Sequence, residues 1–157
     1  MKRINLLSFL ALALFVVALA SNAMLYSEAD VDKAAVEALI EGAYINGAFN
    51  DLDTETMRAG FHPVFKIHGV NVGALSEYPI DDWIVSIEKR KAAADFDAAN
   101  QKWDHKFVFV DVTGNAAVAK IELFTDSKHV YTDYLSLLKF DDGWKITDKV
   151  YFRHADT

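Results

Sequence analysis

From Trp103 to His154 the chain alternates apolar and polar residues in four runs, roughly 103–113, 116–125, 130–140 and 144–154. Between them stand only Gly114-Asn115, a short turn near Ser127-Lys128, and Asp141-Asp142-Gly143. Gly and Asn supply the positive φ that tight hairpins need, so the spacing predicts consecutive antiparallel strands. Period-two alternation leaves such a sheet with an apolar face that other elements must cover.

The first half of the chain supplies the cover. Ser27 to Ala48 reads as a helix, opened by a capping-box pattern at Ser27-Glu28-Ala29-Asp30. Val31, Ala35, Leu39 and Ala43 share a stripe, with Val36, Ile40 and Tyr44 beside it. Asp53 is placed to cap a second, short helix running through Met57 toward Phe61. Phe61 to Val70 reads as a strand region with a turn at Asn71 to Gly73. Pro79-Ile80-Asp81-Asp82 opens a third helix, with Ile80, Trp83, Ile84 and Ile87 as its buried stripe. The order α-α-β-β-α-β-β-β-β describes an α+β domain: a curved antiparallel sheet packed on three helices from the N-terminal half.

Turn lengths set the register. A two-residue Gly114-Asn115 loop pairs Thr113 with Ala116 and puts Val108, Val110 and Val112 on one face with Ala117, Ala119, Ile121 and Leu123. A two-residue Ser127-Lys128 loop then sets Ile121 opposite Tyr134 and Ala119 opposite Ser136. A three-residue loop at Asp141 to Gly143 pairs Phe140 with Trp144, and Ser136 with Asp148. The inner face so derived holds Thr132, Tyr134, Ser136, Leu138 and Phe140 beside Trp144, Ile146, Asp148, Val150 and Phe152. A slip of one residue would instead bury Lys145, Lys149 and Arg153. Phe107, Phe109, Phe124, Tyr131, Leu135, Leu137 and Tyr151 fall on the outer face. So large an apolar surface implies a homodimer through it.

At the other end of the chain, Lys2-Arg3 precedes an uncharged run from Ile4 to Ala20, followed by small residues at Ala18-Leu19-Ala20 and Ser21-Asn22-Ala23. That pattern is a secretory leader over residues 1–23, cleaved after 20 or 23, and it implies a periplasmic or secreted single domain over 24–157. Setting aside Lys2 and Arg3 takes the formal net charge from −7 to −9, which argues against nucleic acid and anionic membrane surfaces as partners. With no cysteine in 157 residues, disulfides, thiolate metal sites and thiol nucleophiles are excluded, and the core alone must hold the domain. G-x-S-x-G, H-E-x-x-H, Gly-rich phosphate loops and EF-hand spacing are all missing from the sequence. No metal or cofactor is expected.

The segment from Ala34 through Gly47, the Phe61-His62-Pro63 turn, and the strands Tyr131 to Phe140 and Gly143 to Val150 resemble the nuclear transport factor 2-like superfamily. Within it they are nearest to SnoaL-like proteins and to an uncharacterised bacterial branch described as putative lumazine-binding. The resemblance spans nearly all of the chain after the leader and implies a cone-shaped pocket. It implies no particular reaction, because this fold carries many functions. Set against the related ketosteroid isomerases, Tyr44 matches their helix-one tyrosine, their catalytic Asp falls near His68, and their oxyanion-hole Asp falls at Ser136. With one of three retained, steroid isomerase activity is not expected.

The candidate site is therefore His68 and Asp148 as proton-transfer groups, with Tyr44, Trp83, Tyr134 and Ser136 as ligand-binding residues. Asp148 on an apolar face needs a partner; it is either a structural carboxylate satisfied by Ser136 and a tyrosine, or a pocket acid. The plainer reading of Trp83 and Tyr134 is core packing. The reading favoured is an exported protein binding a small hydrophobic or aromatic molecule in a mostly apolar pocket. The alternatives are a small isomerase, dehydratase or cyclase using His68 and Asp148, or an interaction module whose pocket is filled by its own side chains.

Overall fold

The computed structural model describes residues 27–97 and 102–155. The expected leader and residues 98–101 of the connection after Ala92 lie outside them. Helix α1 spans Glu28–Leu39, and its capping box forms as expected: Ser27 Oγ accepts from the Asp30 amide while Asp30 Oδ2 accepts from the Ser27 amide. The chain then continues as a π-helix over Ile40–Asn50, where a single α-helix through Ala48 was expected. Its wider coil closes with the Asp51 amide on the Asn46 carbonyl, at 2.7 Å. The buried stripe is Val36, Ile40, Ala43 and Tyr44, and Val31 is exposed.

Asp53 caps helix α2, Thr54–Gly60, by accepting from the Glu55 and Thr56 amides. Strands β1, Phe61–Asn71, and β2, Ala74–Pro79, form a hairpin whose turn residues Val72 and Gly73 both have positive φ. Helix α3, Ile80–Lys91, buries Ile80, Ile84 and Ile87 as expected. It carries acidic residues in its first turn and Lys89, Arg90 and Lys91 in its last, which suits its dipole. The remaining strands are β3, Asp104–Thr113; β4, Ala116–Thr125; β5, Lys128–Phe140; and β6, Gly143–Arg153.

These strands make one curved six-stranded sheet, in the order β2-β1-β6-β5-β4-β3. All neighbours are antiparallel except β1 and β6, which run parallel. The helices cover one face and bury Val36, Ile40, Phe65, Met57, Ile121, Leu135, Leu137 and Ile146 against it. Asp32 ties α1 down: its Oδ1 accepts from Lys139 Nζ at 2.6 Å and from Trp144 Nε1 at 3.1 Å, and those bonds hold its carboxyl below the usual range.

Thr113 does pair with Ala116, but later registers depart from expectation. The β4–β5 turn is Asp126-Ser127, both at positive φ, with Thr125 paired to Lys128. The β5–β6 turn is Asp141-Asp142, with Phe140 paired to Gly143. Bulges also interrupt β3 near Val108, β5 near Val130 and β6 near Thr147. A bulge inserts one residue and exchanges the faces beyond it. The inner face of β5 is therefore Tyr131, Asp133, Leu135 and Leu137, and that of β6 is Trp144 and Ile146, then Lys149 and Tyr151. Past the β3 bulge, His105 and Phe107 turn inward too, with His105 Nε2 3.3 Å from Glu41 Oε1.

Candidate functional site

Three side chains that the bulges bring together form a buried polar cluster beneath the helices. Tyr44, from the π-helix, and Asp133, from β5, are both fully buried, and Lys149 of β6 is 6% exposed. Tyr44 Oη donates a hydrogen bond to Asp133 Oδ2. Lys149 Nζ donates to Tyr44 Oη at 2.8 Å and lies 3.6 Å from Asp133 Oδ2. The ammonium also faces the rings of Tyr44, Tyr151 and Trp83 at 5.1, 5.1 and 5.7 Å. Asp133 Oδ1 is buried with no hydrogen-bond partner among the described residues.

Burial dominates the electrostatics of this cluster. It pushes the Tyr44 phenol well above its ordinary value, and the neighbouring Asp133 charge adds to the rise. Tyr44 is therefore a permanent neutral donor. Burial lowers the Lys149 ammonium from its ordinary value, and Asp133 opposes that effect in part.

Above Lys149 opens a cleft of about 330 Å³. Its walls are Phe49, Ile67, Gly69, Ser76, Tyr78, Trp83, Tyr131 and Tyr151, with Lys149 supplying a charged group. The sheet face explains the set: Ile67 pairs with Tyr78 and Gly69 with Ser76 across the β1–β2 hairpin. Ile67 also stands beside Lys149 in the parallel pairing. Gly69 keeps the cleft open, because a Cβ there would lie 3.2 Å from Ser76 Oγ and 3.3 Å from Tyr151 Cε1. The resulting site is a flat-walled aromatic slot with one amine and a few hydroxyls, suited to a planar molecule bearing a hydrogen-bond acceptor.

Of the residues singled out in the sequence, Tyr44 and Trp83 belong to this site. His68, Tyr134, Ser136 and Asp148 lie outside it. Ile67 and Gly69 face the cleft, so His68 between them points to the other side of the sheet. Ser136 does pair with Asp148, as the turn arithmetic required. Both nonetheless lie on the outer face: the bulge at Val130 exchanges the faces of β5, and the one at Thr147 offsets the shorter β5–β6 turn, so Asp148 turns outward with Ser136. Tyr134 is 40% exposed there. His68 Nε2 meets Asp148 Oδ2 at 3.0 Å, and its Nδ1 stands 4.0 Å from Glu77 Oε1. The two proposed proton-transfer groups thus touch each other, away from the cleft. The acid beside Tyr44 is Asp133.

The apolar residues assigned to the outer face change in the same way. Leu135 and Leu137 are core, and Tyr131 and Tyr151 line the cleft. Phe109 stays exposed as expected, joined by Val118, Tyr134, Leu138, Phe140, Val150 and Phe152.

Lys149 and Asp133 were missed because each was read as a solvent-facing charge. One signal could have found them. Tyr131-Asp133-Leu135-Leu137 alternates as well as Thr132-Tyr134-Ser136-Leu138, and turning both strands over brings opposite charges together inside rather than stranding Asp148.

The family described as "putative lumazine-binding" matches residues 31–152. Among solved structures, an NTF2-like protein of unknown function from Shewanella baltica OS155 is 23% identical, with a TM-score of 0.66, over 83% of this chain and all of its own. One from Methylobacillus flagellatus KT is 25% identical, with a TM-score of 0.60, over 83% of this chain and 97% of that one. One from Silicibacter pomeroyi DSS-3 is 24% identical, with a TM-score of 0.59, over 77% and 94%. No curated protein matches the chain. The family match and the shared fold together place this chain in the putative lumazine-binding family of the nuclear transport factor 2-like superfamily.

Proposed function

We propose that this is a small-molecule-binding protein whose ligand is a flat aromatic compound carrying a carbonyl oxygen. The observation that carries the reading is the open cleft of about 330 Å³, walled by aromatic rings and equipped with the Lys149 amine. That volume falls in the range of small-ligand sites, and the arrangement of many apolar walls around a few convergent polar groups is typical of them. A domain with a filled interior would leave no such space. Lumazine, named in the family's description, is a flat fused heterocycle bearing carbonyl oxygens, so its shape and acceptors suit the slot. The test is isothermal titration of the protein with lumazine and a panel of fused-ring carbonyl heterocycles. Saturable binding at one site per chain is expected, and no heat from any member of the panel would overturn the reading.

The reading includes export and pairing. The basic start, apolar run and small residues of 1–23 support removal of a leader and a periplasmic or secreted location; N-terminal sequencing of the mature protein checks it. No helix among the described residues is long and apolar enough to cross a membrane. The exposed outer-face set from Phe109 to Phe152 supports a homodimer through that face. Sedimentation at high micromolar concentration would count against it by returning a monomer.

A further inference from the structure

We propose that Lys149 is a covalent site: its side-chain nitrogen condenses with aldehydes or reactive ketones that enter the aromatic cleft, forming a reversible imine. This rests on the binding reading and names the ligand's reactive group.

Burial sets Lys149 apart from Lys66, Lys106, Lys139 and Lys145 on the same sheet. Lys66 is held by Glu77 at 2.5 Å, Lys139 by Asp32 at 2.6 Å, Lys145 by Asp142 at 3.0 Å and Lys106 by Glu122 at 3.6 Å, with each lysine side chain 20% exposed or more. Lys149 has an 8% exposed side chain and its one carboxylate lies 3.6 Å away. The rest of its surroundings are rings and the neutral Tyr44 hydroxyl. Burial shifts this amine toward its uncharged form, the one that attacks carbonyl carbon, and Asp133 opposes the shift only in part. Each unit of pKa lowering multiplies the uncharged fraction at neutral pH about tenfold.

The step balances with solvent in the open cleft. Nζ attacks the carbonyl carbon, a C–N bond forms, and the C=O π electrons pass to oxygen. That oxygen takes a proton originating on nitrogen through this solvent, while Tyr44 Oη, 2.8 Å from Nζ, orients the amine. The carbinolamine then loses hydroxyl from carbon and the remaining proton from nitrogen, leaving as water. Amine plus carbonyl gives imine plus water, with no change of oxidation state. The cleft walls hold a flat carbonyl compound edge-on to the nitrogen, which supplies the proximity the first step needs.

The test uses the full chain with 2-naphthaldehyde and sodium cyanoborohydride at neutral pH, read by intact mass and peptide mapping. Alongside it, quenching of tryptophan fluorescence by 2-naphthalenemethanol, which cannot form an imine, reports occupancy of the cleft beside Trp83. The expected result is one dominant adduct, of the aldehyde's mass less one oxygen, on the Lys149 peptide. It should form about tenfold or more faster than on any other lysine and be suppressed by the alcohol. If the alcohol quenches saturably but adducts spread over surface lysines, the imine proposal fails and the binding reading stands. If the alcohol does not bind and Lys149 is not labelled, both fail.

Discussion

Replacing Lys149 with Met keeps most of the apolar stem and removes the charge, leaving Asp133 buried without its counter-ion. Asp133 is fully buried, one of its oxygens has no partner among the described residues, and the other then keeps only Tyr44. Breaking one side of a buried pair costs about 3–5 kcal/mol, because the stranded charge has lost water and gained nothing. For a domain of this size a kilocalorie shifts the melting temperature by roughly 3–4 °C, so Lys149→Met should melt roughly 10–20 °C below wild type. The double variant Lys149→Met, Asp133→Leu removes both charges and should recover most of the loss, since an apolar replacement of a buried pair is often neutral or better. It still strands the Tyr44 hydroxyl, worth about 1–3 kcal/mol, so adding Tyr44→Phe should restore more. Urea denaturation and calorimetry of the three variants provide the measurement. A Lys149→Met protein melting within about 3 °C of wild type, or a double variant no better than the single, would refute the buried pair and the register that creates it.

Gly60→Ala places a Cβ onto that of Ala43 where α2 packs on the π-helix, and such overpacking should cost about 1–3 kcal/mol in a urea melt. Gly69→Ala puts a methyl against Tyr151 and Ser76 inside the cleft; it should weaken binding in a titration while leaving the melting temperature nearly unchanged. His68→Ala removes a group on the opposite face and should leave ligand affinity unchanged; a large loss would return His68 to the site. Stability should also depend on pH through Lys149, whose folded-state value lies below its ordinary 10.5 because of burial. Between the two values the unfolded chain binds more protons, so this group makes stability rise with pH. Comparing wild type with Lys149→Met as pH rises toward 10.5, the wild type should gain more; equal slopes would contradict the lowered value.

The elements themselves were legible, because capping, periodicity and turn chemistry act locally. Ser27, Asp53 and the Ile80–Ile87 stripe do in the structure what their spacing indicated. Gly114-Asn115 also set its hairpin correctly. The faces of β5 and β6 were not legible, for two physical reasons. Both faces of β5 are apolar, so Tyr134, Leu138 and Phe140 outside compete with Tyr131, Leu135 and Leu137 inside, and the pattern cannot choose between them. The bulges near Val108, Val130 and Thr147 leave no mark in the alternation, yet each exchanges the faces beyond it.

The site suffered from the same ambiguity. Tyr44 and Trp83 come from helical segments, where the apolar stripe fixes direction, and both reach the cluster. His68, Ser136 and Asp148 depended on strand faces and landed outside. Lys149 was set aside because a buried lysine is costly alone. The structure lowers that cost by placing Asp133 on the adjacent strand and Tyr44 between them.

Amide shift mapping by nuclear magnetic resonance, with lumazine added to the uniformly labelled protein, tests the cleft most directly. Saturable shifts are predicted at the Trp83 indole and at the backbone of Gly69, Ser76 and Lys149, all on the cleft side of the fold. Shifts centred on His68, Tyr134, Ser136 and Asp148 would place the site on the outer face and contradict the account, as would a spectrum that lumazine leaves unchanged.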